Sequence, residues 1–288
     1  MIVFKLTLEN NDGQFLTLTQ NESNYQVISI EGLNPPPAQI NVTDIVGMDG
    51  AKFNSSKLDT RNIVITVKIN GDVEYNRQEL YRICRTKEQI KCTFVNERRN
   101  VYASGYIDTL ECDLFTNAEY AQISIVCMDP YFRDVLAKEV SISNEIMLFQ
   151  FPFAIDHDDP IPFSEYQQNR EAVVENSTEA ETGALITVFF TGSVSKLEIR
   201  NTVTGESMEL QYSFVSGDVV YIDTNKGQKS ITLLRSGSRS NIFSSLQSGS
   251  TFLPLHPGEN IFTYEADDGT SDQLVDITFT FEWRYRGV

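Results

Sequence analysis

The sequence predicts a mainly β protein built as two sandwich-like domains. Three observations carry this. The last stretch alternates almost without fault: Val275, Ile277, Phe279, Phe281, Trp283 and Tyr285 are apolar or aromatic, and Asp276, Thr278, Thr280, Glu282, Arg284 and Arg286 between them are polar. Strand side chains project to opposite faces with a period of two, so such a run has one buried face and one wet face. Short runs of the same kind recur along the chain, separated by Gly, Asn and Asp turns. One segment alone shows convincing helical spacing, and 288 residues suffice for two hydrophobic cores.

Taken in order, Ile2, Phe4, Leu6 and Leu8 alternate, Asn11-Asp12-Gly13 turns the chain, and Leu16 and Leu18 resume the pattern. An Asp-Gly step between alternating runs predicts a hairpin. Tyr25 to Ile30 is a further strand. It stops at Gly32, and Pro35-Pro36-Pro37 then imposes an extended, donor-poor connection. Asp44 to Lys57, with Asp49-Gly50 at its centre, is expected to be a long loop of the kind that carries function or a partner surface. Arg61 opens a strand with Ile63, Ile65, Val67 and Ile69 on one face, ended by Asn70-Gly71-Asp72. The helix is predicted from Tyr75 to Ile90, with Leu80, Ile83, Cys84 and Lys87 on one stripe and Asp72 or Asn76 as its cap. Strands follow at Ile90 to Val95, Val101 to Leu110 and Ala121 to Cys127, where Asp129-Pro130 stops the ladder.

The texture then changes. Ser141 to Arg170 holds Pro152, Pro160 and Pro162 and little periodicity beyond Met147 to Phe153. The expected division is therefore an N-terminal domain over 1–140, a lead-in segment over 141–183 and a C-terminal sandwich or jelly roll over 184–288. In the last, strands run through Ala184 to Phe190, Leu197 to Asn201, Met208 to Phe214, Val219 to Asp223, Ser230 to Leu234, Glu259 to Glu265 and Val275 to Tyr285.

Composition narrows the function. The net charge of −17 lacks the electrostatic footprint of a phosphate-backbone binder. No apolar run approaches a bilayer span, and Met1 to Asn10 alternates instead of forming a basic-then-apolar leader, so synthesis in a cytoplasm without membrane insertion is expected. Cys84, Cys92, Cys112 and Cys127 have no CxxC spacing and are expected to be free thiols. The two histidines, His157 and His256, stand in no metal or nucleophile pattern. Asp156, His157, Asp158 and Asp159 bunch as a solvated turn does. There is no GxSxG elbow, P-loop or GxGxxG. The expectation is a binder or building block, with no catalytic residues, cofactor or metal.

Several motifs resemble one family. Ile123 to Phe132 ends in a strand followed by C-x-D-P-Y-F, with Asp129, Pro130, Tyr131 and Phe132 as its close. Asp49-Gly50 precedes Arg61-Asn62-Ile63, Gly105-Tyr106-Ile107 follows, then Phe149-Gln150-Phe151-Pro152, and finally Leu255-x-Pro257-Gly258-x-Asn260. These five, in this order, resemble the distal tail proteins of long-tailed phages. The resemblance implies a structural protein of the virion tail tip. Its N-terminal domain forms a ring, expected to be hexameric, and its galectin-like C-terminal sandwich faces outward. Implied partners are further copies, the major tail tube protein, the tail-associated tip protein and, in some phages, a receptor-binding protein.

Long irregular segments suit arms that cross a subunit boundary, so Asp44, Gly47, Asp49, Gly50 and Arg61 are the expected inter-subunit residues. A bore carrying part of the acid surplus would let DNA pass without sticking. The alternative is a carbohydrate-binding protein for host adhesion acting through 184–288; Trp283 and the tyrosines are of a type that stacks on sugar, but Trp283 shares a strand face with Phe279 and Phe281, so core packing is expected of it.

Overall fold

The computed structural model describes residues 5–19, 24–47, 49–114, 118–142, 145–147, 164–166, 171–266 and 274–288. Chain contacts divide it into two units, Met1–Val135 with Arg284–Val288, and Leu136–Trp283. The expected class holds: both units are built of strands, with one α-helix among the described residues.

The first unit contains β1 (Lys5–Asn10), β2 (Phe15–Thr19), β3 (Tyr25–Glu31), β4 (Ala38–Asp44), β5 (Ala51–Leu58), β6 (Arg61–Ile69), α1 (Val73–Ile83), β7 (Gln89–Val95), β8 (Asn100–Cys112), β9 (Tyr120–Cys127) and β10 (Phe132–Asp134). Seven of these run β7-β1-β2-β3-β6-β9-β8, and β8 also pairs with β7. The sheet is thus a closed barrel rather than two separate layers. The 13-residue β8 makes closure possible by pairing β7 along its first half and β9 along its second. Gly105 sits at the changeover, where an added Cβ would lie 2.8 Å from Cys127 Sγ and from Val126 O. Only a residue without a side chain lets the strands approach there.

Inward residues form one core: Leu6, Leu8, Ile63, Ile65, Ile90, Phe94, Ile123 and Ile125 are among those buried. Three thiols, Cys84, Cys92 and Cys127, lie in the same core, and Cys112 is half-buried. The helix is shorter than its spacing predicts. It is capped by Asp72, whose carboxylate accepts from Tyr75 N at 3.1 Å, and it ends at Ile83. Lys87 then takes φ +71°, which turns the chain so that Gln89 and Ile90 can pair in β7. Ladder hydrogen bonds to two neighbours outweigh one further helical turn.

The second unit contains β11 (Lys138–Ile142), β12 (Glu145–Met147), β13 (Ser164–Tyr166), β14 (Glu171–Asn176), β15 (Leu185–Phe190), β16 (Val194–Asn201), β17 (Ser207–Phe214), β18 (Val219–Asp223), β19 (Ser230–Arg235), β20 (Ser238–Asn241), β21 (Gly258–Ala266) and β22 (Val275–Phe281). A six-stranded sheet runs β11-β22-β15-β18-β19-β20 and a four-stranded sheet runs β14-β21-β16-β17. Ring pairs join their facing sides: Phe190 stacks on Phe214 at 4.2 Å and Phe262 on Phe279 at 4.6 Å. This is the expected sandwich. Strand β14, which falls in the segment expected as a lead-in, is a full member, pairing Ala172 to Phe262 and Val174 to Asn260. Its alternation is short, and it is completed by its partner strand. The Asp156–Asp159 cluster and Phe149 to Pro152 lie outside the described residues.

The long terminal strand is split. Val275, Ile277, Phe279, Phe281 and Trp283 are buried in the second unit. Arg284–Tyr285 (β23) instead pairs with β10 in the first unit.

Candidate functional site: an exposed arm and its anchor

The segment expected as a loop is a hairpin. β4 and β5 pair from Ala38↔Leu58 to Asp44↔Ala51, with a bulge opposite Asn41/Val42. Only Ile40, Val42 and Phe53 mark its apolar side, too sparse a pattern to stand out as strands. Every described residue from Ala38 to Lys57 is exposed. Asp44 ends β4, and Gly47, Asp49 and Gly50 form the tip, where both glycines take positive φ (+85° and +89°). These four expected interface residues are therefore together.

Arg61 is not with them. It is 2% exposed and stands at the root of the arm. Its guanidinium donates to the carbonyls of Asn34 (2.8 Å), Pro130 (2.8 Å) and Arg286 (2.6 Å), and to that of Gly32. Its Cζ lies 4.2 Å above the Phe132 ring. Burial lowers its pKa from the ordinary arginine value, and four carbonyl acceptors with an aromatic face replace water. Arg61 therefore fixes the arm's root from inside and cannot itself meet a partner. Gly32, where the chain leaves β3, takes φ +82°, and a Cβ there would lie 2.0 Å from Asn62 O.

The D-P-Y-F motif completes this anchor. Asp129 accepts from Arg284 Nη2 (2.6 Å), Arg133 Nη2 (3.0 Å) and Tyr131 N (3.3 Å). Pro130 supplies a carbonyl to Arg61, Tyr131 lies 4.2 Å beneath Arg284, and Phe132 is fully buried against Phe94. Arg99 adds a bond to Gly287 O and lies 4.4 Å above Tyr285. Sequence reasoning missed Arg99 and Arg284, whose partners are more than 150 residues away in the chain.

The second motif is a separate, local knot. Asn260 is fully buried; its amide donates to His256 O (2.7 Å), Gly258 O (3.1 Å) and Val174 O (3.4 Å). Its carbonyl accepts from His256 N (2.9 Å) and Asn201 Nδ2 (3.1 Å). Pro257 leads into Gly258, whose φ of +93° lets the turn close. The ring of His256 contacts Glu206 at 2.8 Å. Among the described residues no three His, Cys, Asp or Glu side chains converge as metal ligands would.

These features coincide with known sequence patterns. Residues 12–127 match the phage tail protein RIFT-related domain, and residues 177–283 match the C-terminal domain of the siphovirus-type tail component. The chain belongs to the siphophage distal tail protein family. The two matches fall one on each unit, and the family is a structural component of the tail. The fold is shared with Dit of phage SPP1, with a TM-score of 0.68 at 15% identity over 96% of this chain and 99% of that one. A chain of the phage P2 baseplate in its activated conformation with Ca gives a TM-score of 0.55 at 12% identity over 100% of each. No curated protein sequence matches this tail component.

Proposed function

We propose that this tail component forms a ring, hexameric in the expected stoichiometry, that serves as the hub between the tail tube and the adhesion apparatus at the tip of the virion. The N-terminal domain makes the ring and the C-terminal domain faces outward. Its neighbours are further copies, the major tail tube protein, the tail-associated tip protein and, as in some phages, a receptor-binding protein. The SPP1 relative is described as a paradigm of hub adsorption apparatus in phages infecting Gram-positive hosts. The observation that carries the reading is the β4–β5 arm: a hairpin exposed at every described residue from Ala38 to Lys57, rooted on a buried arginine, in a barrel that closure leaves with few free strand edges.

Charge supports passage of DNA through such a ring. The first unit holds 15 Lys/Arg and 18 Asp/Glu, a net −3, and the second holds 8 and 22, a net −14. A near-neutral ring bears no basic surplus to hold phosphates, so only a small share of the acid is needed at the bore. The test replaces residues 38–58 by a Gly-Ser link, which the Asp59 N to Pro37 O bond at 3.1 Å leaves room for. The expected product is a folded monomer; ring-sized oligomers of this variant on a sizing column overturn the arm's role.

A further inference from the structure

The arm has two unlike faces. Cross-strand partners project to the same side, so Ile40, Val42 and Asp44 share a face with Phe53. On the other face the polar groups satisfy one another: Asn41 Nδ2 donates to Ser55 Oγ at 3.1 Å and Asn54 Nδ2 to Thr43 Oγ1 at 2.7 Å. The apolar face is bare. Ile40 is 63% exposed, Val42 52%, Phe53 60% and Val46 at the tip 102%. A lone two-stranded ribbon is marginal in water, so this face needs a cover.

The same unit offers a concave surface of mixed character elsewhere, apolar at Phe15, Leu16 and Ile83 and polar at Gln14, Asn76, Glu79 and Arg82. A cavity of about 410 Å³ lies between the β1–β2 turn and α1, lined by Phe15, Leu16, Tyr75 and Ile83 among others. Phe15 is 67% exposed and Tyr75 62%, and exposed aromatics at a groove are the side chains that anchor interfaces. Tyr75, Glu79 and Arg82 follow one another at spacings of four and three, so they share a face of α1 along the groove. A ring requires a contact in which one surface meets a different surface of the neighbour. A convex arm and a concave groove on one protomer are such a pair. With seven residues in β4 and eight in β5 the arm reaches about 23 Å, enough to cross a subunit boundary. Charge agrees: Asp44 is the acid on the arm's apolar face, and Arg82 at the groove is 55% exposed, tied to Glu79 at 2.7 Å.

We infer that the arm of one copy seats its apolar face in the groove beside α1 of the next copy, with Asp44 directed to Arg82. This rests on the ring reading above and names the receptor for the arm.

The test is disulfide trapping in full-length chains carrying Cys112→Ser, since the other three thiols are buried. A Val46→Cys chain is mixed with a Tyr75→Cys chain under mild oxidation, and Ile28→Cys, 51% exposed on β3, is the control partner. Expected are a linked heterodimer with Tyr75→Cys alone, and a ladder up to the closed ring when one chain carries both Val46→Cys and Tyr75→Cys. Ring-sized oligomers in which Val46→Cys fails to link to Tyr75→Cys overturn the groove and leave the ring standing. Monomers throughout, by sedimentation, overturn both. Asp44→Arg and Arg82→Asp should each weaken association about tenfold, and the double variant should regain it; a double variant as weak as the singles removes the proposed orientation.

Discussion

Each unit contains a buried polar hub, and the two hubs differ in kind. In the first unit a guanidinium, Arg61, gathers the carbonyls of Gly32, Asn34, Pro130 and Arg286, the last 225 residues from it along the chain. In the second a neutral amide, Asn260, closes a local turn and reaches out only to Asn201 and Val174. The barrel is closed and near neutral; the sandwich keeps open edges and carries a net −14. Every edge strand of the sandwich bears charge, on Lys138, Arg239, Glu171 and Glu209, which discourages edge-to-edge pairing. Closure removes most such edges from the barrel, so a partner there must be met by an added element. The exposed arm is such an added element, and a long-range hub at its root holds it in place.

Two probes separate the units. Trp283, the one tryptophan, reports the second, and all four cysteines lie in the first. The largest effect is expected from Arg61→Met, which leaves four carbonyls without their donor. It should destabilise the first unit by about 3–5 kcal/mol. Thiol labelling should then begin at lower denaturant while Trp283 fluorescence changes where it did before. A common shift of both probes would show that the units unfold as one and end the comparison.

Asn260→Ala should act in reverse, costing the second unit about 2–3 kcal/mol through the unmet groups of its turn. Trp283 is expected to respond and the thiols are not. Early labelling of Cys84, Cys92 or Cys127 in this variant would contradict a local role.

The smallest effect is on pH dependence, with opposite signs. Arg235 holds the Asp218 carboxyl below its ordinary value, chiefly through their hydrogen bonds, and Arg200 does the same for Glu198. Stability from these pairs is present above the unfolded carboxylate range near ~4 and is lost as pH falls through the lowered folded values. In the first unit, burial pushes Cys84 and Tyr25 up to about 12 and Cys127 to about 11. Their contribution is complete below the unfolded thiol value of ~8.5 and is lost as pH rises toward the folded values. Denaturant midpoints from Trp283 should therefore fall first in acid, and those from thiol accessibility first in alkali. The opposite order would assign the titrating groups wrongly.

Alternation made most of the scaffold legible: Ile63 to Ile69, Ala121 to Cys127 and Val275 to Trp283 bury the faces their spacing indicates. The arm was legible as a conspicuous segment but not as strands, because a hairpin with no core to face has little reason to alternate. The D-P-Y-F and P-G-x-N motifs were legible as residues, and their bonding was not.

By itself the sequence determined the β class, the one α-helix of the described residues with its cap at Asp72 or Asn76, and the turns at glycines, because these follow from local periodicity and backbone freedom. Only the tertiary structure decided that the first sheet closes, that the final strand divides between the two units, and that Arg61 lies inside. Each of these depends on groups distant along the chain meeting in space, and a pattern of neighbouring residues carries no record of which distant carbonyls a buried cation will find.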